Sequence, residues 1–256
     1  MRSTIVLIMA CGIAFGQQSP PPNPQIRFEV ASVKPSPPPA AGRSTNYHMN
    51  GGPGTPDPNR FACENFDLAS LITLAYDIPS YRLSAPSWMR DAKFDIVANV
   101  PSGSTKEQFR LMLENLLAER FQVKTHWDTK EMQVYALVVA KSGSKLKESA
   151  AAAPMMRMGS AGGITQMTFT GSPVEQFVTQ LPYVPGVDRP VLDKTGLTGK
   201  YDFELKLAGG RSGVTGPEGE SVFTAIEEQL GLKLEAQRAS IPILVVDQGE
   251  KTPKEN

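Results

Sequence analysis

Hydrophobic positions along the chain follow two periods in turn. "FDIVANV" places Phe94, Ile96, Ala98 and Val100 on one side and Asp95 and Asn99 on the other, the two-residue period of a half-buried strand. The next segment changes to helical spacing, with Phe109, Met112, Leu113, Leu116, Leu117 and Phe121 in one stripe. Ser104 and Glu107 read as its capping box, and Arg110 and Glu114 as a surface pair one turn apart. Upstream, "IRFEVASVKP" predicts a strand stopped by Pro35, and the Gly- and Pro-rich residues 35–59 predict an exposed loop. "NRFACEN" is a further strand. Asp67 caps the helix after it, which carries Leu68, Leu71, Ile72 and Ala75 on its apolar face and cannot continue past Pro79. "QVKTHW" and the nearly all-apolar "QVYALVVA" predict two strands, the second inside a sheet.

The same order then recurs. "TQMTFTG" matches "NRFACEN"; Ser172 caps, Pro173 takes the first helical position, and Val174, Phe177, Val178 and Leu181 form the stripe. "YDFELKL" matches "FDIVANV", "SVFTAIEEQLG" is a helix stopped by Gly231, and "LKLEA" and "PILVVD" match the two strands that close the first half. The offset stays near about 107 positions, drifting only in loops, where insertions are cheap. These readings predict an α+β fold of two tandem duplicated modules, 26–141 and 164–248, each a mostly antiparallel sheet covered by two amphipathic helices. Between them, residues 142–163 read as a flexible linker, and Met155, Met156 and Met158 as part of it; residues 249–256 are a C-terminal tail.

Composition adds location more than chemistry. Lys plus Arg and Asp plus Glu both number 26 in 256 residues, so no net charge draws the chain to a polyanion, and nucleic acid is not expected as a partner. "MRSTIVLIMACGIAFG" has Arg2, an apolar run from Ile5 to Phe15 and small residues at its end, which predicts a signal peptide over 1–16 and a Pro-rich spacer over 17–25. Two other readings of that stretch are an uncleaved anchor and, from "IMAC", a lipoprotein box at Cys11. After cleavage no transmembrane span is expected, and the location is periplasmic or secreted. Cys63 is then the remaining thiol, so no internal disulfide is expected; it reads as a small buried residue.

Candidate reactive side chains are scattered. The histidines are His48, in the loop, and His126, on a strand; with no HExxH or CxxC pattern, no metal site is assigned. Ser142–Lys145 and Ser144–Lys147 have Ser-x-x-Lys spacing and Lys194–Gly196 reads Lys-Thr-Gly. Acyl transfer needs that serine at the start of a buried helix, however, and both pairs fall in the linker. Lys194–Gly196 reads better as a turn. Asp202 and Glu204 share a strand face and form a carboxylate pair, yet Asp202 has a counterpart in Asp95, which favours a structural role. Trp88 is either a partner anchor or a plug at an element junction, the plug being the stronger reading. No catalytic, cofactor-binding or metal-binding residue is assigned.

Long segments resemble a known family. "FEVASVKP", "LITLAYDIPSYRLSAPSWM", "FDIVANVP", "LLAERFQVKTHWDTKEMQVYALVVAK", "PVLDKTGLTGKYDFELKL" and "LGLKLEAQRASIPILVVDQGEKTPKEN" resemble, in order, the exported bacterial family catalogued as domain of unknown function 3738, abundant in soil Acidobacteria. The resemblance implies an envelope or secreted location. It implies no established activity and no catalytic residues. The expected function is a non-catalytic, envelope-associated binding or interaction protein whose partner is an envelope protein or cell-wall component; the alternatives are an exported hydrolase with its site between the modules, and a purely structural envelope protein.

Overall fold

The computed structural model describes residues 26–37, 47–208 and 221–254. The expected leader 1–16 and spacer 17–25, residues 38–46 of the expected loop, and the Gly-rich stretch 209–220 lie outside the described residues. In chain order the elements are β1 (Val30–Pro35), β2 (His48–Gly51), β3 (Arg60–Asp67), α1 (Leu68–Ala75), β4 (Leu83–Ser84), β5 (Lys93–Asn99), α2 (Lys106–Phe121), β6 (Lys124–Val139), β7 (Lys147–Glu148) and β8 (Met155–Ala161). They continue as β9 (Ile164–Ser172), α3 (Val174–Gln180), β10 (Val191–Asp193), β11 (Tyr201–Ala208), α4 (Val222–Ala225) and β12 (Leu232–Gln248). Helices and sheets coexist as the α+β reading expects.

Two compact units divide the chain, one of Met1–Lys130 with Ile241–Asn256, the other of Glu131–Ser240. These boundaries differ from the expected 26–141 and 164–248. The reason lies in two strands. "QVKTHW" and "QVYALVVA" form one strand, β6, and "LKLEA" and "PILVVD" form another, β12, because no turn-forming dipeptide interrupts either run. Each crosses a unit boundary, so the first unit is completed by the far end of the chain.

The first unit holds an antiparallel sheet in the order β1-β5-β3-β2, with α1 and α2 beside it. Its core joins Phe61, Leu71, Ile72, Ile96, Leu113, Leu117 and Phe121 to Leu244 and Val246 of β12. β4 pairs in parallel with β12, Leu83 opposite Leu244. The backbone N–H of Glu250 donates to the carbonyl of Phe121, the last residue of α2 (2.7 Å). That helix is capped by a box of Thr105 and Gln108, one residue later than expected, because Ser104 Oγ donates to the Pro101 carbonyl instead. Asp67 caps α1 as expected, accepting from Ser70 N, and also takes Lys93 Nζ (2.6 Å). Burial pushes the Asp67 carboxyl up, but the Lys93 and Ser70 hydrogen bonds and the Lys93 charge outweigh it and hold the group below its ordinary value. Residues 48–51, part of the expected loop, are a strand paired with β3.

The second unit holds an antiparallel sheet in the order β7-β11-β9-β8 over a core of Leu137, Met167, Phe169, Phe177, Leu205, Ile226 and Leu230. β10 pairs in parallel with β6, Val191 opposite Tyr135. The backbone N–H of Lys145 donates to Leu230, the last residue of the helical segment. The expected linker is part of this unit: residues 147–148 are β7 and residues 155–161, including the Met cluster, are β8, paired along its length with β9. Composition concealed a strand because its partner, not its own sequence, stabilises it. Ser172 does not cap α3. It is buried and donates to Met155 and Thr170 carbonyls, leaving Pro173 at the cap.

Candidate functional site

The repeated aspartates are each tied to a bulge. In β3 the register shifts between Cys63 and Phe66, where Asn65 takes a positive φ of 62°. Asp95 Oδ1, on neighbouring β5, accepts the Asn65 N–H (3.0 Å) and the Ser36 hydroxyl (2.5 Å). In the second unit Gly171 takes φ 58° at the corresponding irregularity between β9 and β11, and Asp202 Oδ1 accepts its N–H (2.7 Å). A hydrogen bond from the Ser149 hydroxyl, then the Gly171 N–H, hold the Asp202 carboxyl below its ordinary value. Ser36 N donates to Lys93 O and Ser149 N to Lys200 O, so even the hydroxyl donors sit at matching places. Both carboxylates are latches that give a bulge N–H an acceptor. Glu204 pairs with Lys206 Nζ (2.7 Å), so Asp202 and Glu204 have separate partners. We expect Asp95→Ala to cost about 1–3 kcal/mol, the penalty for removing a charged acceptor. Urea unfolding measures the loss, with faster amide exchange at Asn65.

The remaining candidates also serve the fold. Cys63 is 1% exposed and burial pushes its thiol up to about 12, which leaves it protonated and inert. Thr195 N–H and Oγ1 both bond Asp193 Oδ1, and Gly196 has φ 70°: Lys194–Gly196 is a turn. Lys145 Nζ donates to the Glu228 carbonyl, and Ser144 Oγ accepts from Leu146 N, in non-helical backbone. Trp88 packs on the first core under Lys251, the plug reading. His48 Nε2 meets Asn50 Nδ2 (2.7 Å). His126 Nδ1, on β6, meets both carboxylate oxygens of Asp247, on β12 (2.8 and 2.9 Å). That is the orienting half of a catalytic triad, but among the described residues no hydroxyl or thiol is bonded to Nε2. Among those residues, too, no three metal-ligating side chains cluster.

Two polar groups within the first unit escaped the sequence reading. Asn115 lies on the buried face of α2 and donates to the Ile26 carbonyl (2.7 Å), tying the lead-in segment down. Glu114 does not pair with Arg110, which reaches Asp77 instead (2.8 Å). It faces inward, hydrogen-bonded to Tyr76, whose hydroxyl also meets Thr125 Oγ1 (2.9 Å). Burial pushes the Glu114 carboxyl from its ordinary 4.5 up to about 7, against the opposing pull of Tyr76. A raised acid favours the folded state when protonated, so this contribution is present below about pH 4.5 and is lost as pH rises through about 7. Glu114→Gln stays neutral. We expect it to flatten that decline and to raise Tm at pH 8 by roughly 2–4 °C, allowing for solvent screening of a half-buried group; thermal melts from pH 5 to 8 measure it.

Fold and site together describe an α+β protein whose polar side chains are largely engaged in holding strands, bulges and caps. The profile of the family described as Protein of unknown function (DUF3738) matches residues 69–248, more than half of the chain, and the chain belongs to that family. Neither a curated protein nor a solved structure matches it. No helix among the described residues is long and apolar enough to cross a membrane.

Proposed function

We propose that this is an exported, non-catalytic binding protein of the envelope, built from one βα unit written twice with its last strands exchanged. The duplication is supported by the paired registers Leu83–Leu244 and Val191–Tyr135 and by the two Ser–Asp–bulge latches. The observation that carries the binding reading is the form of the sheets. Each unit holds a four-stranded antiparallel sheet, and in the second the seven-residue edge strand β8 is open among the described residues, while Asp95, Asp202, Thr195 and Lys145 are committed to backbone and turn contacts. An open edge is a natural template for an added strand. The signal-like residues 1–16 support export to the periplasm or beyond.

The test uses the mature chain as bait against an envelope extract, with mass spectrometry of what it retains. Reproducible recovery of one envelope protein or wall component supports the reading. A hydrolase reading rests on the His126–Asp247 pair. Turnover of generic ester, peptide or glycoside substrates that is lost in His126→Ala, with no partner recovered, would replace the first reading by the second.

A further inference from the structure

The four edges of the two antiparallel sheets are not alike among the described residues. β1 ends in Pro35, and Arg120 reaches the carbonyl of its Ala31. β2 spans four residues and β7 two. β8 spans seven, contains no proline and pairs only with β9, on its other side. Of the usual protections of an edge, which are shortness, proline, a covering side chain and a charged residue, β8 has among the described residues only the charge of Arg157. In an antiparallel strand every second residue turns its N–H and C=O away from the partner. No hydrogen bond from a described side chain reaches the backbone of residues 156–159.

Its surroundings have a chemical character. A groove of about 570 Å³ runs over the sheet face beside β8, lined among others by Arg157, Gly159, Ala161, Gln166, Thr168 and Lys206. The registers set Arg157, Thr168 and Glu204 in one row across the strands and Gly159, Gln166 and Lys206 in the next. Glu204 is taken by Lys206, so Arg157 is exposed and without an ion-pair partner among the described residues. A Cβ added at Gly159 would meet nothing within 4 Å, which leaves room for a large side chain to cross the strand there. On the opposite face of the strand Met158 is 57% exposed, at the rim of the core.

We infer that β8 is a strand-addition site for an extended polypeptide segment, one that sets a carboxylate beside Arg157 and an apolar side chain against Met158. Main-chain hydrogen bonds along the edge supply affinity, and the alternation of Arg157 and Met158 across the two faces supplies specificity. The inference rests on the binding reading above and names its surface. A free cation in a groove lined by no carboxylate selects an acidic segment over a basic one.

The probe is a random dodecapeptide library on phage, selected against the immobilised full-length mature chain. Selected peptides are expected to alternate apolar residues and to carry Asp or Glu. The best of them, synthesised, should bind about tenfold or more weakly to Arg157→Glu, the range of a lost charge-assisted contact, and weaken similarly with Met158→Lys. Replacing its carboxylate by Lys should restore binding to Arg157→Glu. A neutral or basic consensus, affinity unchanged in both variants, or a chain that dimerises through β8 and loses the dimer in Met158→Lys would each overturn the assignment. Envelope capture with Met158→Lys separates the two proposals: a partner still retained refutes the β8 site alone, and no partner for either chain refutes the binding reading with it.

Discussion

A chain ending at Ser240 is expected to lose the fold of its first unit. The deletion removes Ile241, Ile243, Leu244 and Val246, each buried to within 8% of full exclusion from water, and two of them belong to the first core. At about 1.5–3 kcal/mol for each buried aliphatic side chain, the loss is on the order of 6–12 kcal/mol, comparable with the total stability of a domain. It also takes the strand that pairs with β4 and the Glu250 N–H that bonds the end of α2. Hydrogen exchange with mass spectrometry should show protection lost across residues 60–130. Full protection retained there would contradict the role given to β12. Leu244→Ala in the intact chain, at about 2–5 kcal/mol, is the graded version of the same test.

Gly231→Ala is expected to be the most damaging of the conservative glycine substitutions in the second unit. Gly231 ends the helical segment with φ 63°, and an added Cβ would lie 2.0 Å from the Gly143 carbonyl oxygen and 3.0 Å from Lys145 N. Two effects compete for the explanation. The left-handed backbone costs a non-glycine residue roughly 1–2 kcal/mol. In the first unit, however, Gln122 ends α2 at φ 53°, so a side chain is tolerated in that conformation. What decides the case is the carbonyl at 2.0 Å, because it is backbone and its neighbour Lys145 N is held to Leu230. Strain and displacement together should cost ~2–5 kcal/mol. Urea titration measures this, with Gly196→Ala as the mild control, because φ there is 70° and an added Cβ meets nothing within 4 Å; equal losses in the two variants would show that backbone conformation alone matters.

Elements with strong, local periodicity are legible in the sequence. Phe94 and Ile96 on β5, the stripe of α2 and the Asp67 cap follow from spacing and side-chain chemistry that hold without a partner. β8 is not legible in the sequence because Met155–Ala161 has the composition of a spacer and becomes a strand through its register with β9. β6 and β12 each read as two strands in the sequence because a charged middle resembles a loop in one dimension, although a single extended strand that crosses a unit boundary has the same appearance. The i, i+4 spacing places Glu114 at the surface because that rule cannot see Tyr76, a residue of another segment. The aspartate repeat was legible as a repeat, and its purpose became visible only with the bulges at Asn65 and Gly171.

Completion of the first unit by residues after 240 has a consequence for synthesis. The ribosome releases the N-terminal portion first, yet the strand that seals it emerges only after residue 240. A growing chain can therefore form local helices and hairpins but cannot lock its first unit until residues 241–248 have emerged. For a polypeptide with the proposed leader, that delay keeps the body threadable while a secretion channel engages the front end.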